Sequence, residues 1–455
     1  MTTPRFRGER LRERLAPMWA HSWRWVLAAL GAMVATWFLL RSGSASLTIA
    51  LVIAVLVVGA ALTASKPMAI ALMAMPALFI VERIGLGGTD LTISDAALAA
   101  AFGTAVLLAQ RPFSPELRWL LWLNAIYQFA TLITVIINPY SQNVIEWFHA
   151  WLLISGALVV GWGVGRAGYA RLAFRLMIAA ATIIALSSLF TALLNYTQED
   201  FGPAAPEWPY PMNKNFAGDV MAFVALIVYV NPAWAALNKN TARLLLVILG
   251  SGILVTQSRQ ALIGLLVAVV FVVSRRKLFG HSRLALLLLI PAAWLIYLTI
   301  HDQIESQNRF NSLFQRLDWF REVYAYWKHA PIFGHGLRFW YVDDTVPYQP
   351  PQAELEVAAS AGLVGLAAFA IMWIGVLVVL WRMDPAYGTL AAVVVLSRLV
   401  QAQFDLFWVT AQVSIPFVIA GICLGAKALA EADPAPAESR AGEGQPRRKR
   451  PTSIS

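Results

Sequence analysis

The chain has 455 residues, 59% of them hydrophobic and 13% charged, with 35 Lys and Arg against 25 Asp and Glu. Soluble domains run at about 45–50% apolar and about 25% charged, so a soluble globular protein is excluded. One cysteine, Cys423, excludes an internal disulfide and a cysteine-rich metal site. The formal charge of +10 is not a nucleic-acid signature, because the cations sit at the ends of apolar blocks.

In chain order, the apolar blocks fall at 24–40, 47–63, 67–82, 92–109, 119–137, 147–165, 172–194, 216–231, 243–257, 260–274, 284–300, 358–381, 387–402 and 408–430. A helix crossing a bilayer needs about 20 mostly apolar residues, which is the recurrent length here. Barrel strands would alternate over short segments, and no such pattern is present. The predicted fold is all-α: a polytopic transmembrane helical bundle of about 12–14 spans. It divides into a basic N-terminal tail (1–23), a bundle (24–300), a long extracytoplasmic loop (301–357), C-terminal spans (358–430) and a polar tail (431–455). The first block runs straight into a second span without a small-residue cleavage site, so it reads as a span and not as a signal peptide. The tail is rich in Ala, Pro, Glu, Gly and Arg and is expected to be disordered and cytoplasmic.

Orientation follows from the cations. With the N-terminus inside, the cytoplasmic gaps hold Lys66, Arg111, Arg118, Arg166, Arg171, Arg175, Lys239, Arg243, Arg275, Arg276, Lys277, Arg283 and Arg382. Both tails are also basic. The short outward gaps carry only Arg41, Arg83, Lys214 and Arg259. That asymmetry is the positive-inside pattern, and it places both termini in the cytoplasm.

The 301–357 gap is unlike the short connections elsewhere. It carries Trp319, Trp327, Phe339, Trp340, Tyr341 and Tyr348, and three of the six histidines, His301, His329 and His335. From Phe310 to Trp327, the apolar residues Leu313, Phe314, Leu317, Phe320, Tyr324 and Trp327 recur at helical spacing. An amphipathic helix lying on the outer membrane face or capping the bundle is expected.

Several residues are candidates for chemistry. Arg259, in TQSRQA, sits in a tight turn between two spans, either snorkelling to headgroups or clamping an anion such as a phosphate. Lys214 and Asn215 open a span behind a stiff Trp-Pro-Tyr-Pro loop, where a helix N-terminus favours anions; helix capping by asparagine is the simpler account. Arg309 and Arg316, seven apart, share a face if the loop helix is continuous. Arg398 and Asp405 read as a structural ion pair. Asp343 and Asp344 lack neighbouring ligands and are a weak metal candidate. The nucleotide-binding G-x-x-x-x-G-K, the H-E-x-x-H and the G-x-S-x-G patterns are absent, which disfavours a nucleotide-driven pump or a metalloprotease.

The run from Arg316 to Trp340, RLDWFREVYAYWKHAPIFGHGLRFW, resembles a stretch typical of the O-antigen ligase and O-antigen polymerase superfamily. The matching residues are Arg316, Trp319, Pro331, Gly334 and Gly336, followed by Glu354, Glu356 and the GLVGL run from Gly362. SRQALIGLL from Ser258 and NKNFAGDVMAF from Asn213 are similar to two upstream family motifs, in the same order. The resemblance covers about residues 213–367. It implies a bacterial cytoplasmic membrane protein with an extracytoplasmic active face. It also implies a polyprenyl-diphosphate-linked glycan donor, a glycan or lipid acceptor, membrane lipids around the chain and no nucleic acid. The reaction implied is glycosyl transfer without a metal or cofactor, in cell-surface polysaccharide biosynthesis. Substrate-binding residues would be Arg259, Arg316, Lys214, Asn215, Arg309, Arg338 and Trp319. Where the family has a His-Asn pair this chain has Gln352 and Ala353, and glutamine cannot act as a base. Of the catalytic candidates Glu354, His335 and Gln352, the departure leaves three readings: either Glu354 or His335 supplies the base, the acceptor differs, or the site is altered in activity. The alternatives are a multi-span transporter or flippase, or a non-catalytic scaffold of a polysaccharide assembly complex.

Overall fold

The computed structural model describes residues 66–84, 91–275, 312–342 and 349–432, without the side chains of 312–317. The expected spans 24–40, 47–63 and 284–300, the two tails, Arg309, Asp343 and Asp344 lie outside the described residues. Helices dominate. They are α1 (Ala69–Ala77), α2 (Ile93–Leu108), α3 (Pro115–Ile137), α4 (Ser141–Arg166), α5 (Ala170–Thr197), α6 (Lys214–Val230), α7 (Lys239–Thr256), α8 (Arg259–Arg275), α9 (Ser312–His329), α10 (Ala353–Arg382), α11 (Pro385–Gln401) and α12 (Thr410–Ala432). Six of these, α3, α4, α5, α7, α10 and α12, are long and apolar enough to cross a membrane. The chain is an all-α polytopic membrane protein.

Local chemistry sets the boundaries. Ser114 caps α3 by accepting from Leu117 N, with Pro115 at the first helical position, and Asp384 and Pro385 repeat the arrangement for α11. Thr92 and Asp95 form a reciprocal capping box on α2. Asn231 (φ 40°) and Gln257 (φ 50°) take the left-handed conformation that ends α6 and α7. The expected span 67–82 departs most from expectation, with only nine helical residues, Ala69–Ala77. Pro76 removes one helical hydrogen bond, and the chain then extends into a bridge between Arg83 and Thr92.

The helices sort by burial. From Phe216 to Val228 every residue of α6 is buried, and α11 and α12 are nearly as enclosed. By contrast α3 exposes Trp119, Trp122, Phe129 and Ile136 on one stripe, and α10 exposes Ile371, Ile374 and Val378. Apolar stripes of that extent are stable only against hydrocarbon or a partner.

The closest helix pair is α4 with α12. A Cβ added at Gly161 would lie 2.2 Å from Val418 O, and one at Gly165 2.4 Å from Ile422 O. Reciprocally, Gly421 and Gly425 would meet Leu158 O and Trp162 O, each at 2.4 Å. Two small-x-x-x-small pairs let the backbones touch, and in lipid such contact supplies much of helix association. Further up α4, a five-residue π turn, Leu152–Gly156, shifts the register between these glycines and the half that carries Glu146 and His149.

The bundle has two unlike ends. At the basic end cations cap helix carbonyls: Arg275 donates to Trp381 O and Met383 O at 2.6 Å, and Arg166 to Ala428 O at 2.8 Å. Lys427 pairs with Glu116 (2.8 Å) and Glu431 (2.7 Å). These cations sit where helix dipoles are negative. The opposite end holds most of the buried carboxylates and amides.

Candidate functional site

The polar end is organised by a broken helix. Gly362, inside α10, has φ 66° and ψ −166°, which divides the helix into Ala353–Ala361 and a longer C-terminal part. The residues Pro331 to Gly336 lie in the break as a strap. His335 N and Gly336 N donate to Ala359 O (3.1 Å) and Ser360 O (2.9 Å), while Leu363 N and Val364 N donate to Pro331 O (2.9 Å) and Ile332 O (3.1 Å). Two carbonyls and two N–H groups beside the break are thus satisfied by strap backbone, as burial demands. A Cβ at Gly334 would fall 2.3 Å from the Ser360 carbonyl, and one at Gly336 2.1 Å from the Tyr140 hydroxyl. That contact explains the Gly-x-Gly spacing. Burial pushes the Tyr140 phenol up to about 12, so it stays neutral against the strap.

Polar side chains tie the strap to the bundle. Thr134 Oγ1 donates to Phe333 O (2.8 Å), Asn138 Nδ2 to Gly334 O (3.3 Å), and Leu337 N to Asn143 Oδ1 (2.7 Å). Arg338 pairs with Glu146 at 3.5 Å and lies 4.1 Å from the Tyr341 ring. Glu146 also faces His149 Nδ1 at 3.5 Å, whose Nε2 reaches Asp95 at 2.8 Å. Arg338, Glu146, His149 and Asp95 thus form one largely buried row in which basic and acidic side chains alternate. Removing the imidazole would leave the buried Asp95 without its basic partner and Glu146 with Arg338 alone. His149→Ala is therefore expected to lower stability by about 3 kcal/mol or more, read by thermal unfolding in detergent.

The sequence candidates separate into three groups. Lys214 and Arg259 open α6 and α8, which pack so closely that a Cβ on Gly218 would lie 2.5 Å from Ser258 Cβ. Both cations thus stand at adjoining helix N-termini, with Asn215 N donating to the Asn213 cap (2.8 Å). Arg259 is exposed and has no carboxylate partner among the described residues. The second group is the α10 start. Gln352 caps that helix by accepting from Leu355 N (2.8 Å), and its Nε2 donates to Glu354. Glu354 takes a second amide proton from Gln403 at 2.8 Å. The third group lies on α9 and the strap. Trp319 is half-buried, and Arg316 lies in the first turns of α9, which begins at Ser312. His335 Nε2 is 2.8 Å from Tyr326 O, and a carbonyl only accepts, so that nitrogen carries the proton.

Two sequence expectations need revision. Arg398 does not pair with Asp405; fully buried, it donates to Leu406 O (2.6 Å) and Phe407 O, capping the turn between α11 and α12. Asp405 instead accepts from Gln260 Nε2 (2.7 Å), which also donates to Asp219 at 2.8 Å. On α9, Phe320 and Tyr324 face outward, while Val323 packs with Tyr326, Phe339, Trp340 and Ala359. The helix caps the first part of α10 through a face one position away from the one its largest residues suggest.

Sequence reasoning missed Glu146, His149, Asp95 and the role of Glu356. Glu356 is 2% exposed, its Oε2 accepts from Phe407 N (3.2 Å), and it lines a small cavity with Glu146, Tyr127, Trp408, Ser360 and Leu337. Ionisable residues in an apolar block were the available signal.

Residues 244–370 match the family model described as O-antigen ligase. That stretch takes in most of α7, all of α8 and α9, the strap and the break in α10. The resemblance read from the motifs holds there, and Arg259, Arg316, Trp319, His335, Arg338, Gln352 and Glu354 fall inside it. Lys214 and Asn215 fall outside the O-antigen ligase match. A search of curated proteins finds none that matches the chain.

Proposed function

We propose that the polar end faces the outside of a bacterial cytoplasmic membrane and there transfers a glycan from a polyprenyl-diphosphate carrier to a glycan or lipid acceptor. The supporting observation is the pairing of two cations with two adjoining helix N-termini, at Lys214 and Arg259. A leaving diphosphate needs concentrated positive charge, which helix N-termini and guanidinium groups supply together. The basic opposite end, which holds Arg166, Lys239, Arg275 and Lys427, is then cytoplasmic by the positive-inside pattern. Exposed Phe320 and Tyr324 on α9 offer faces for sugar rings beside the strap.

The broken helix also invites a transporter reading, since many transporters place ions at half-helix ends. In this chain strap backbone already occupies Ala359 O, Ser360 O, Leu363 N and Val364 N at the half-helix ends beside Gly362, the groups such a site would use. Glycosyl transfer is the better account. Deleting the protein is expected to remove long or anchored surface glycan. Arg259→Ala, expressed to wild-type level in the membrane, is expected to restore less than about a tenth of it. An unchanged profile in the deleted strain would sink the proposal.

A further inference from the structure

Between residues 147 and 198, and again between 220 and 301, the sequence holds no Asp or Glu. Cations that fall in those stretches must find their partners elsewhere. Two of them at the basic end do so on helix carbonyls: Arg166 on Ala428 O (2.8 Å), and Arg275 on Trp381 O and Met383 O (2.6 Å). Arg171 and Arg175 do not. Both are exposed, and neither has a hydrogen bond or ion pair among the described residues. They stand four apart at the start of α5, which opens at Ala170, so two like charges share one helix face and repel.

That face lines a small open cleft between α5, the end of α6 and the connection to α7. The remaining walls include Phe174, Ile178, Ile227 and Pro232, all apolar. Asn231 also borders the cleft, but its side chain closes the connection on itself. Its Nδ2 donates to Leu237 O (3.2 Å), and its Oδ1 accepts from Leu237 N (2.8 Å). Trp234, packed on Phe174 at 5.6 Å, donates from Nε1 to Ala386 O (2.9 Å) and pins the same connection to α11. The wall is therefore fixed, and of the lining side chains only the two guanidinium groups are free to hold a ligand.

A ligand for this cleft is anionic at one point and apolar beside it. Its level in the membrane agrees with that chemistry. Helix α5 is long and apolar enough to cross the membrane, so its first turns stand where hydrocarbon meets water. Farther along the same side of the helix, Ala179 and Leu186 are exposed, an apolar track leading away from the arginines. Neighbouring α7 begins at the same end with exposed Lys239 and Arg243, which add to the positive field. Basic pockets between helices at a membrane surface take anionic lipid headgroups.

We infer that Arg171 and Arg175 clamp the phosphate of an anionic glycerophospholipid in the leaflet at the basic end of the bundle. The two guanidinium forks take the phosphate oxygens, and the acyl chains run along the Ala179 and Leu186 side of α5. A zwitterionic lipid offers the same phosphate but carries its own cation, which the arginine pair repels. The site is at the opposite end of the bundle from Lys214 and Arg259, and it does not rest on the glycosyl-transfer reading.

The test is equilibrium binding of a fluorescent short-chain phosphatidylglycerol to the full chain in detergent, read by anisotropy. Arg171→Ala with Arg175→Ala is expected to weaken binding about 30-fold, and Arg175→Ala alone about fivefold, at the usual contribution of a surface cation. Both arginines are exposed, so thermal unfolding without lipid is expected to stay at the wild-type temperature. Arg118→Ala with Arg382→Ala removes as much charge from exposed positions at the same end but outside the cleft, and is expected to leave binding unchanged. Arg259→Ala is expected to do the same. Unlabelled phosphatidylglycerol should displace the probe, while phosphatidylcholine of equal chain length and glycerol 3-phosphate should not. Equal weakening by the Arg118 and Arg382 pair overturns the inference, because diffuse charge then explains binding. Loss in Arg259→Ala with the cleft variants unaffected overturns it by moving the site to the other end. Displacement by glycerol 3-phosphate as effective as by lipid overturns the lipid assignment, since the cleft then takes a free phosphate.

Discussion

Gly161→Leu is expected to abolish the folded protein. Gly161 sits where α4 and α12 have backbone in contact, with Val418 O 2.2 Å from the place a Cβ would take. No rotamer can relieve that clash, because the opposing atom is main chain. The helices must separate, and Gly165, Gly421 and Gly425 lose their contacts along with it. Overpacking of a tight core costs about 1–3 kcal/mol and sometimes more, and here a whole interface would open. The expected loss exceeds about 3 kcal/mol, enough to empty a marginally stable native state. Gly161→Ala should lie between wild type and leucine, since the methyl already clashes. Gly250→Ala is the control: nothing lies within 4 Å of its Cβ position, and alanine favours a helix over glycine by about 1 kcal/mol. Thermal unfolding of purified protein in detergent reads all three. A Gly161→Leu variant as stable as Gly250→Ala would show that the α4–α12 contact does not hold the bundle.

The helices were legible in sequence because their signals are local. Ser114 before Pro115, and Asp384 before Pro385, each announce a start, and the structure begins α3 and α11 at those prolines. Span limits for α5, α6, α11 and α12 come within about three residues for the same reason: length and apolarity are enough to specify a crossing. What periodicity cannot give is the identity of a partner. Glu146, His149 and Asp95 lie on two helices, and their row becomes visible only when α2 and α4 are set side by side. Arg398 and Asp405 were readable as charges of opposite sign seven positions apart. Yet the two residues just past Asp405 supply carbonyls nearer to the guanidinium than any carboxylate. The candidate site was legible in its surface part, Lys214 and Arg259, because both mark helix starts. Its buried part was not, since the Glu356 cavity is made by five separate stretches of chain.

The second large effect is expected at the break in α10. Gly362 occupies φ 66° and ψ −166°, a region essentially restricted to glycine, where other residues cost about 1–3 kcal/mol. A methyl there would also lie 2.3 Å from the Ile332 carbonyl. Gly362→Ala is therefore squeezed from two directions, and one of them is strap backbone. The simplest relief is for α10 to close into a continuous helix, which alanine favours. Closing it would expel Pro331–Gly336, because Ala359 O, Ser360 O, Leu363 N and Val364 N would turn to partners within the helix. The strap would then lose four backbone hydrogen bonds, and Thr134, Asn138 and Asn143 their partners on it. Unlike the Gly161 variant, this protein should still reach the membrane, since the α4–α12 interface lies elsewhere. The expected result is a folded bundle with the strap open to protease and with surface glycan lost. Limited proteolysis reads the strap, and the glycan profile reads activity. A protease-resistant strap in Gly362→Ala would mean that the splice between 331–336 and 359–364 is not what holds it. Loss of glycan with an intact strap would place the fault in the first part of α10, which carries Glu354 and Glu356.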